Sequence, residues 1–163
     1  MATPVRRVVD ASSLISLAKV GRLELLRVGV PEIIVPDSVI AEASVRSTTD
    51  PVLERIRRAE WLTIVPATAI PPIVMAWDLG AGENSVLAIA LADQECEALL
   101  DDRDARRCAQ ALGIQARGTL GLVILAKQIG SLPWARPVVE ELRQAGFYLT
   151  DELAGQALAL VGE

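Results

Sequence analysis

The feature that most constrains the fold of this chain is a repeated alternation of short apolar runs with longer helical patterns. The connections between them are short. Strands and helices that alternate in this way form a parallel sheet whose two faces are covered by crossover helices. We therefore predict a three-layer α/β/α fold with a central, mostly parallel sheet. The predicted strands are residues 7–10, 33–35, 62–65, 98–100 and 114–117.

The length of the chain and its last helical patterns define the predicted domain organisation. The 163 residues fit one domain of ordinary size. Beyond Gly130 the pattern is helical, with one helix ended by Gly146 and a final helix capped by Thr150. We expect residues 1–163 to form a single domain, with residues 131–163 as a helical C-terminal extension that packs on it.

Composition excludes several classes of protein. Without any histidine, the chain lacks Ser-His-Asp catalysis, Cys-His catalysis and the usual zinc sites. Apolar stretches such as residues 120–126 are far shorter than the roughly 20 residues of a membrane-spanning helix. Asp10 interrupts the apolar region that a signal peptide would need. We expect a cytoplasmic protein with no membrane contact.

The net charge of −5 argues against a protein that holds nucleic acid chiefly by neutralising phosphates, because such domains have a basic excess. It remains compatible with a nuclease that gathers carboxylates around a cation. Ligands of open parallel sheets bind at the carboxyl ends of the strands. Asp10 follows the first predicted strand, the pair Asp101 and Asp102 follows the fourth, and Thr119 lies just past the fifth.

Two further acids, Glu42 and Glu83, lie near the starts of predicted helices and are expected to point toward the same edge. Carboxylates that are close together repel one another, and a bound cation relieves this repulsion. Mg²⁺ and Mn²⁺ fit best, because both prefer oxygen ligands and need no histidine. Such ions polarise a phosphodiester and activate water.

Each acid also has an ordinary structural interpretation. Asp10 can be the cap of the next helix, Glu42 a solvated helix residue, and Glu83 an acid favoured by the helix dipole. The pair Asp101 and Asp102 can supply one ligand and one helix cap, two ligands, or only a turn. We favour Asp102 as the ligand.

Four residues near these acids are secondary candidates. Thr119 is expected to be the N-cap of the following helix, with a supporting or substrate-contact role as an addition, and Ser12 is treated in the same way. Arg103 and Arg106 follow the acidic pair and are candidates for binding phosphate. The alternative for both arginines is an exposed helix face.

Four motifs resemble those of the PIN-domain nucleases, which include the VapC-type toxins of bacterial toxin–antitoxin pairs. They are Asp10-Ala-Ser-Ser-Leu-Ile, Gly80-Ala-Gly-Glu, Leu100-Asp-Asp-Arg and Gly118-Thr-Leu-Gly. They are most similar to a PIN-like branch classed as a domain of unknown function. The resemblance covers nearly the whole chain, and it implies RNA cleavage with Mg²⁺ or Mn²⁺, often by a homodimer restrained by an antitoxin.

The resemblance also implies that Asp10, Glu42, Glu83 and Asp102 occupy the four acidic places of the site. The sequence departs from the family in two of them, since Glu83 stands where many members have aspartate and Leu100 replaces a usual threonine. Our first hypothesis is a metal-dependent endoribonuclease, the toxin of a toxin–antitoxin pair. The alternative is a catalytically silent PIN-like module that binds itself or a small antitoxin. A phospho-accepting signalling domain is disfavoured, because its acidic pair should follow the first strand.

Overall fold

The computed structural model describes residues 2–47 and 50–163. The strands within these residues are β1 (Arg6–Val9), β2 (Glu32–Pro36), β3 (Leu62–Val65), β4 (Cys96–Leu99) and β5 (Ala116–Arg117). They form one sheet in the order β3-β2-β1-β4-β5, and every neighbouring pair is parallel. The predicted α/β class and parallel sheet are confirmed.

Helices connect the strands and continue beyond the last one. They are α1 (Ala11–Lys19), α2 (Asp37–Arg46), α3 (Asp50–Arg58), α4 (Pro72–Met75), α5 (Ala81–Ala92), α6 (Arg103–Ala111), α7 (Thr119–Gln128), α8 (Arg136–Gln144) and α9 (Asp151–Ala159). A 3₁₀ turn, Leu23–Arg27, separates α1 from β2. No helix in the described part of the chain is both long and apolar enough to cross a bilayer.

The central strands of the sheet are buried on both faces, as expected for a parallel sheet, whereas the edge strand β3 is partly exposed. Val8 and Val9 of β1 and all four residues of β4 are buried. The edge strand β5 is shorter than predicted. Of the predicted residues 114–117, only Ala116 and Arg117 are assigned to the strand, paired with β4. The last helices pack against α7, and their buried side chains include Val139, Leu142 and Leu158.

The two central strands carry a buried ion cluster that the sequence analysis missed. Arg7 of β1 lies opposite Glu97 of β4, and the two side chains are 1% and 3% exposed as residues. Arg7 Nε donates to Glu97 Oε2 over 2.7 Å, and Arg117 Nε donates to Glu97 Oε1 over 2.9 Å. Arg7 Nη1 also donates to the carbonyl of Val28. Burial lowers the pKa of Arg7, and the pairing with Glu97 opposes that shift.

Candidate functional site at the carboxyl edge of the sheet

Asp10 stands at the carboxyl end of β1, in the middle of the sheet, and is only 1% exposed. Its backbone N–H extends the ladder by donating to the carbonyl of Leu99 at the end of β4. Asp10 Oδ1 accepts from the backbone N–H of Ser13 over 2.8 Å, and this bond caps α1. Asp10 Oδ2 accepts from the backbone N–H of Asp101 over 3.0 Å. The capping interpretation is therefore correct, and the second oxygen joins β1 to the end of β4.

Asp101 is fixed by donors from two helices. Its Oδ1 accepts from the backbone N–H of Thr119 over 2.8 Å. Its Oδ2 accepts from the Thr119 hydroxyl over 2.6 Å and from the Ser13 hydroxyl over 3.1 Å. This carboxylate thus lies at the N-terminus of α7, where the helix dipole favours a negative charge. Thr119 is the first helical residue, and Gly118 is the N-cap, so the expectation that Thr119 caps α7 was wrong.

Asp101 perturbs the titration of Asp10. The pKa of Asp10 is raised from 3.8 to about 6, first by burial and then by the charge of Asp101, although the hydrogen bonds from Ser13 oppose the shift. In the described part of the chain neither carboxylate takes part in an ion pair. Asp10 is therefore a buried acid that lies beside a second acid and has no ion pair in the described residues, which is the electrostatic condition that a bound cation relieves.

Asp102 has a different role in this structure. Its Oδ1 accepts from the backbone N–H of Ala105 over 2.8 Å and caps α6, and the residue is exposed. Of the three interpretations of the acidic pair, the structure gives Asp102 the cap and gives Asp101 the contact with Asp10. The preference for Asp102 as the metal ligand stays a prediction.

The two glutamates occupy space that glycines leave open. Glu42 Oε2 lies 2.6 Å from the point where a Cβ on Gly82 would stand, and Glu83 Oε2 lies 2.5 Å from the corresponding point on Gly80. Helices α2 and α5, which carry these acids, are joined by a hydrogen bond of 2.8 Å between Ser38 and Ser85. The glycines of the predicted Gly80-Ala-Gly-Glu motif thus make room for carboxylates. The side chains of Glu42 and Glu83 are half-buried.

Arg46 links the first helix to Glu42. Its Nη1 donates to the Ser12 hydroxyl over 3.2 Å and lies 3.5 Å from Glu42 Oε1. Within residues 2–47 and 50–163, no three acidic or cysteine side chains come close enough together to hold a metal ion. The structure brings Asp10 to Asp101 and Glu42 to the start of α5. It does not gather all four predicted acids around one point.

Basic and polar side chains surround the acidic edge. Arg106 Nη1 and Asp101 Oδ1 lie 2.9 and 3.3 Å from the point that a Cβ on Gly118 would occupy, so Arg106 reaches the start of α7. Arg103 is exposed on α6. A cleft of about 320 Å³ opens beside Asp101 and is lined also by Ser12, Arg46 and Tyr148. The sequence analysis missed Ser13, Arg46 and Tyr148. Only Ser13 had a signal, its position three residues after a cap.

Asp10 is a buried carboxylate at the carboxyl edge of a parallel α/β sheet, which is where open sheets of this class bind their ligands. The family model of DUF3368, described as a PIN domain, matches residues 6–163, and the chain therefore belongs to this PIN-domain family. The resemblance inferred from the four motifs is confirmed. A search of curated proteins gives no match to the chain.

The donor atoms at this edge fit a hard divalent cation. Carboxylate and hydroxyl oxygens are the ligands that Mg²⁺ and Mn²⁺ prefer. Each carboxylate oxygen of Asp10 accepts one hydrogen bond, and a carboxylate oxygen offers two lone pairs. Gly80 and Gly82 leave open the space that the two glutamates use. The residues present are therefore chemically suited to the metal on which PIN-domain nucleases typically depend.

Proposed function

We propose that this protein is a divalent-metal-dependent endoribonuclease that acts in the cytoplasm. The observation that carries the proposal is the pairing of two acids at the centre of the sheet edge. The buried carboxylate of Asp10 accepts from the backbone N–H of Asp101, and neither acid has an ion pair among the described residues. A protein that keeps such a pair ionised usually places a cation beside it. Membership in a PIN-domain family supports the nuclease class.

Asp10, Asp101, Glu42 and Glu83 are the residues that would hold Mg²⁺ or Mn²⁺. Asp102, which the sequence analysis had chosen, is replaced by Asp101 because Asp101 contacts Asp10 and Asp102 caps α6. When bound, a divalent cation polarises the phosphodiester and supplies an activated water molecule. No third acid lies within metal-binding reach of the first two among residues 2–47 and 50–163, so the glutamates must close on the site by side-chain movement.

The other polar groups of the edge orient these acids. The backbone N–H groups of Ser13 and Asp101 hold the two oxygens of Asp10, so this carboxylate cannot rotate without losing both bonds. Thr119 and the Ser13 hydroxyl hold Asp101 in the same way. Arg106 and Arg103 supply positive charge on the side of α6, where they would bind the phosphates of the substrate.

The test compares wild type with Asp101→Asn and Asp102→Asn, on structured and unstructured RNA with Mg²⁺ or Mn²⁺. We expect wild type and Asp102→Asn to cleave at similar rates, and Asp101→Asn to lose on the order of 100-fold or more, as removal of a key electrostatic group does. Mg²⁺ should raise the melting temperature of wild type and of Asp102→Asn only. If Asp102→Asn loses cleavage while Asp101→Asn cleaves at the wild-type rate, Asp102 and not Asp101 is the metal ligand.

As part of the same proposal, the protein acts as the toxin of a bacterial toxin–antitoxin pair and forms a homodimer. The motif resemblance to VapC-type toxins supports this role. Exposed apolar side chains on the C-terminal helices, Leu153 at 52% and Leu160 at 72%, supply a surface for a partner chain. Growth arrest on expression, relieved by co-expression of a small protein encoded next to this chain, is the expected result. Growth equal to that of the Asp10→Asn control would contradict the toxin role.

A second candidate function is a catalytically silent PIN-like binding module. The observation that favours it is the separation of the glutamates from the Asp10 and Asp101 pair in the described residues. The replacement of a usual threonine by Leu100 points the same way. If wild type gains no thermal stability from Mg²⁺ or Mn²⁺ and cleaves no RNA, while Asp101→Asn is more stable than wild type, this second function is the correct one.

A further inference from the structure

The cleft beside Asp101 is lined by side chains of different chemistry. It measures about 320 Å³, near the lower limit of small-ligand pockets. Ser12 and Arg46 line one side, Asp101 borders the acidic edge, and Phe147 and Tyr148 come from the connection between α8 and α9. The cleft therefore places a cationic, an anionic and two aromatic side chains around one small space.

Tyr148 is the most exposed large side chain of the described structure that faces this cleft. It is 89% exposed, whereas its neighbours Phe147 and Leu149 are half-buried against the core. The Phe147 backbone N–H donates to the carbonyl of Leu142 over 2.9 Å, and Thr150 caps α9. The backbone around Tyr148 is thus anchored on both sides, which holds an aromatic ring in water at the mouth of the cleft.

Arg46 supplies the opposite kind of group. Its hydrogen bond to Ser12 and its ion pair with Glu42 both use Nη1, and its side chain remains 45% exposed. A guanidinium has five N–H donors in a planar fork that matches the oxygens of a phosphate. Arg46 therefore offers a positive charge to an anion in the cleft, a short distance along the wall from Asp101.

We propose that this cleft binds one nucleotide of a single-stranded RNA, with the base stacked on Tyr148 and a backbone phosphate on Arg46. An exposed, anchored aromatic ring beside a guanidinium is the combination that recognises unpaired nucleotides. The position next to Asp101 places this nucleotide beside the scissile phosphate, so the inference rests on the proposed nuclease function.

The test measures binding of a labelled unstructured oligoribonucleotide in EDTA, where metal-dependent cleavage is absent. Tyr148→Ala should weaken binding roughly 5- to 100-fold, the range expected for loss of one stacked base, and Tyr148→Trp should retain affinity. Arg46→Gln should weaken binding and lower the salt dependence by about one phosphate contact. The matched control is Trp134→Ala, which removes an exposed aromatic side chain that contacts Lys127 near the other end of α7.

A second measurement identifies the stacked base. Removal of the base from one particular position of the oligonucleotide should weaken its binding to wild type. The same change should not weaken its binding to Tyr148→Ala any further. Because the chain contains a single tyrosine, fluorotyrosine labelling gives one ¹⁹F resonance. That resonance should shift on addition of unpaired RNA and stay unchanged on addition of a blunt RNA duplex.

The outcomes separate this inference from the proposed function. If wild type cleaves RNA, and Tyr148→Ala has the same RNA affinity and cleavage rate as the control Trp134→Ala, the proposed nucleotide subsite is contradicted and the nuclease function stands. If binding depends on Tyr148 while no metal supports cleavage, the subsite stands and the nuclease function is wrong. If Tyr148→Ala leaves RNA binding unchanged and abolishes self-association in sedimentation, the ring belongs to a protein interface and the inference is overturned.

Discussion

Strands β1 and β4 carry charged side chains at two levels, and the two levels are built in opposite ways. Inside the sheet, Arg7 and Glu97 are opposite charges in register, and Arg117 adds a second cation. At the end of the same strands, Asp10 and Asp101 are like charges joined by a backbone hydrogen bond. Arg7, Glu97 and Asp10 are buried, but only the first level pairs opposite charges within the described chain.

The difference separates a structural ion pair from a candidate site. The charge of the buried Glu97 carboxylate is balanced by its two guanidinium partners, so no further cation is required there. Two adjacent carboxylates, one of them 1% exposed, lower the stability of the fold at neutral pH unless a cation binds. Perturbed acids of the second kind are concentrated in functional sites. Substitutions at the two levels should therefore change stability in opposite directions.

The largest effect is expected at the ion cluster. Glu97→Ala leaves the buried guanidinium of Arg7 without its carboxylate and should lower the free energy of unfolding by about 3–5 kcal/mol. The matched control is Glu95→Ala, since Glu95 is more than half exposed and lies 3.9 Å from Arg6. Urea denaturation of both variants gives the comparison. A loss at Glu97 no greater than at Glu95 would mean that the buried pair does not stabilise the fold.

The next effect is expected at the support of Asp101. Thr119→Val removes the hydroxyl that donates to Asp101 Oδ2 and should lower the free energy of unfolding by about 2 kcal/mol, as for a buried bond to a charged group. Thr63→Val, on the exposed face of β3, is the control of identical chemistry. Equal denaturation midpoints for the two variants would contradict the role of Thr119.

Neutralising the like-charged level should stabilise the metal-free protein. In Asp101→Asn the amide can still accept from the Thr119 N–H and donate to a hydroxyl, while the charge that raises the pKa of Asp10 is gone. In EDTA above pH 6 we expect a gain on the order of 1 kcal/mol in the free energy of unfolding. A loss of stability in EDTA would show that the hydrogen bonds of Asp101 outweigh its repulsion of Asp10.

The pH dependence of this gain has a definite sign. Asp10 has a folded-state pKa of about 6 against an ordinary value of 3.8, so the native state binds more protons between these values. Its contribution to stability is complete below the lower value and is lost as the pH rises through the higher one. The advantage of Asp101→Asn over wild type should therefore appear between pH 4 and 6 and level off above. An advantage that is constant across this range would contradict the coupling.

The smallest effect is expected at Asp102. Removing the α6 cap in Asp102→Ala should lower the free energy of unfolding by about 1 kcal/mol and leave the Mg²⁺-dependent gain in stability intact. Asp104→Ala, in the same first turn and exposed, is the control without a capping bond. Thermal melts with and without Mg²⁺ measure both quantities. If Asp102→Ala loses the Mg²⁺ effect, Asp102 is a ligand as well as a cap.

The fold was predictable because hydrophobic periodicity and helix caps are local signals, and all five predicted strands overlap observed ones. The choice between Asp101 and Asp102 was not. Strand β4 ends at Leu99, one residue before the predicted end, and only the packed structure shows that Asp102 caps α6 while the backbone N–H of Asp101 donates to Asp10. The sequence analysis identified this pair of acids, and its preference for Asp102 as the metal ligand stays a prediction.

The remaining differences come from contacts between distant parts of the chain. Arg7 and Glu97 are 90 positions apart, and only strand register brings them together. Glu42 reaches Gly82 because α2 packs on α5, and Tyr148 reaches the cleft because the C-terminal helices pack on α7. No local pattern encodes these neighbours. A single sequence can supply the acids of such a site but cannot supply the distances between them.

The double use of Asp10 has a consequence for how lineages of this protein can change. The same carboxylate starts α1 and holds the backbone beyond β4, so its replacement disturbs folding as well as any chemistry at the edge. Glu42 and Glu83 have no such duty in the recorded hydrogen bonds of the described chain. On the proposed function, descendants that lose catalysis should therefore lose the glutamates early and retain Asp10 for longer. An aspartate kept at this position is, for that reason, poor evidence of activity unless the glutamates accompany it.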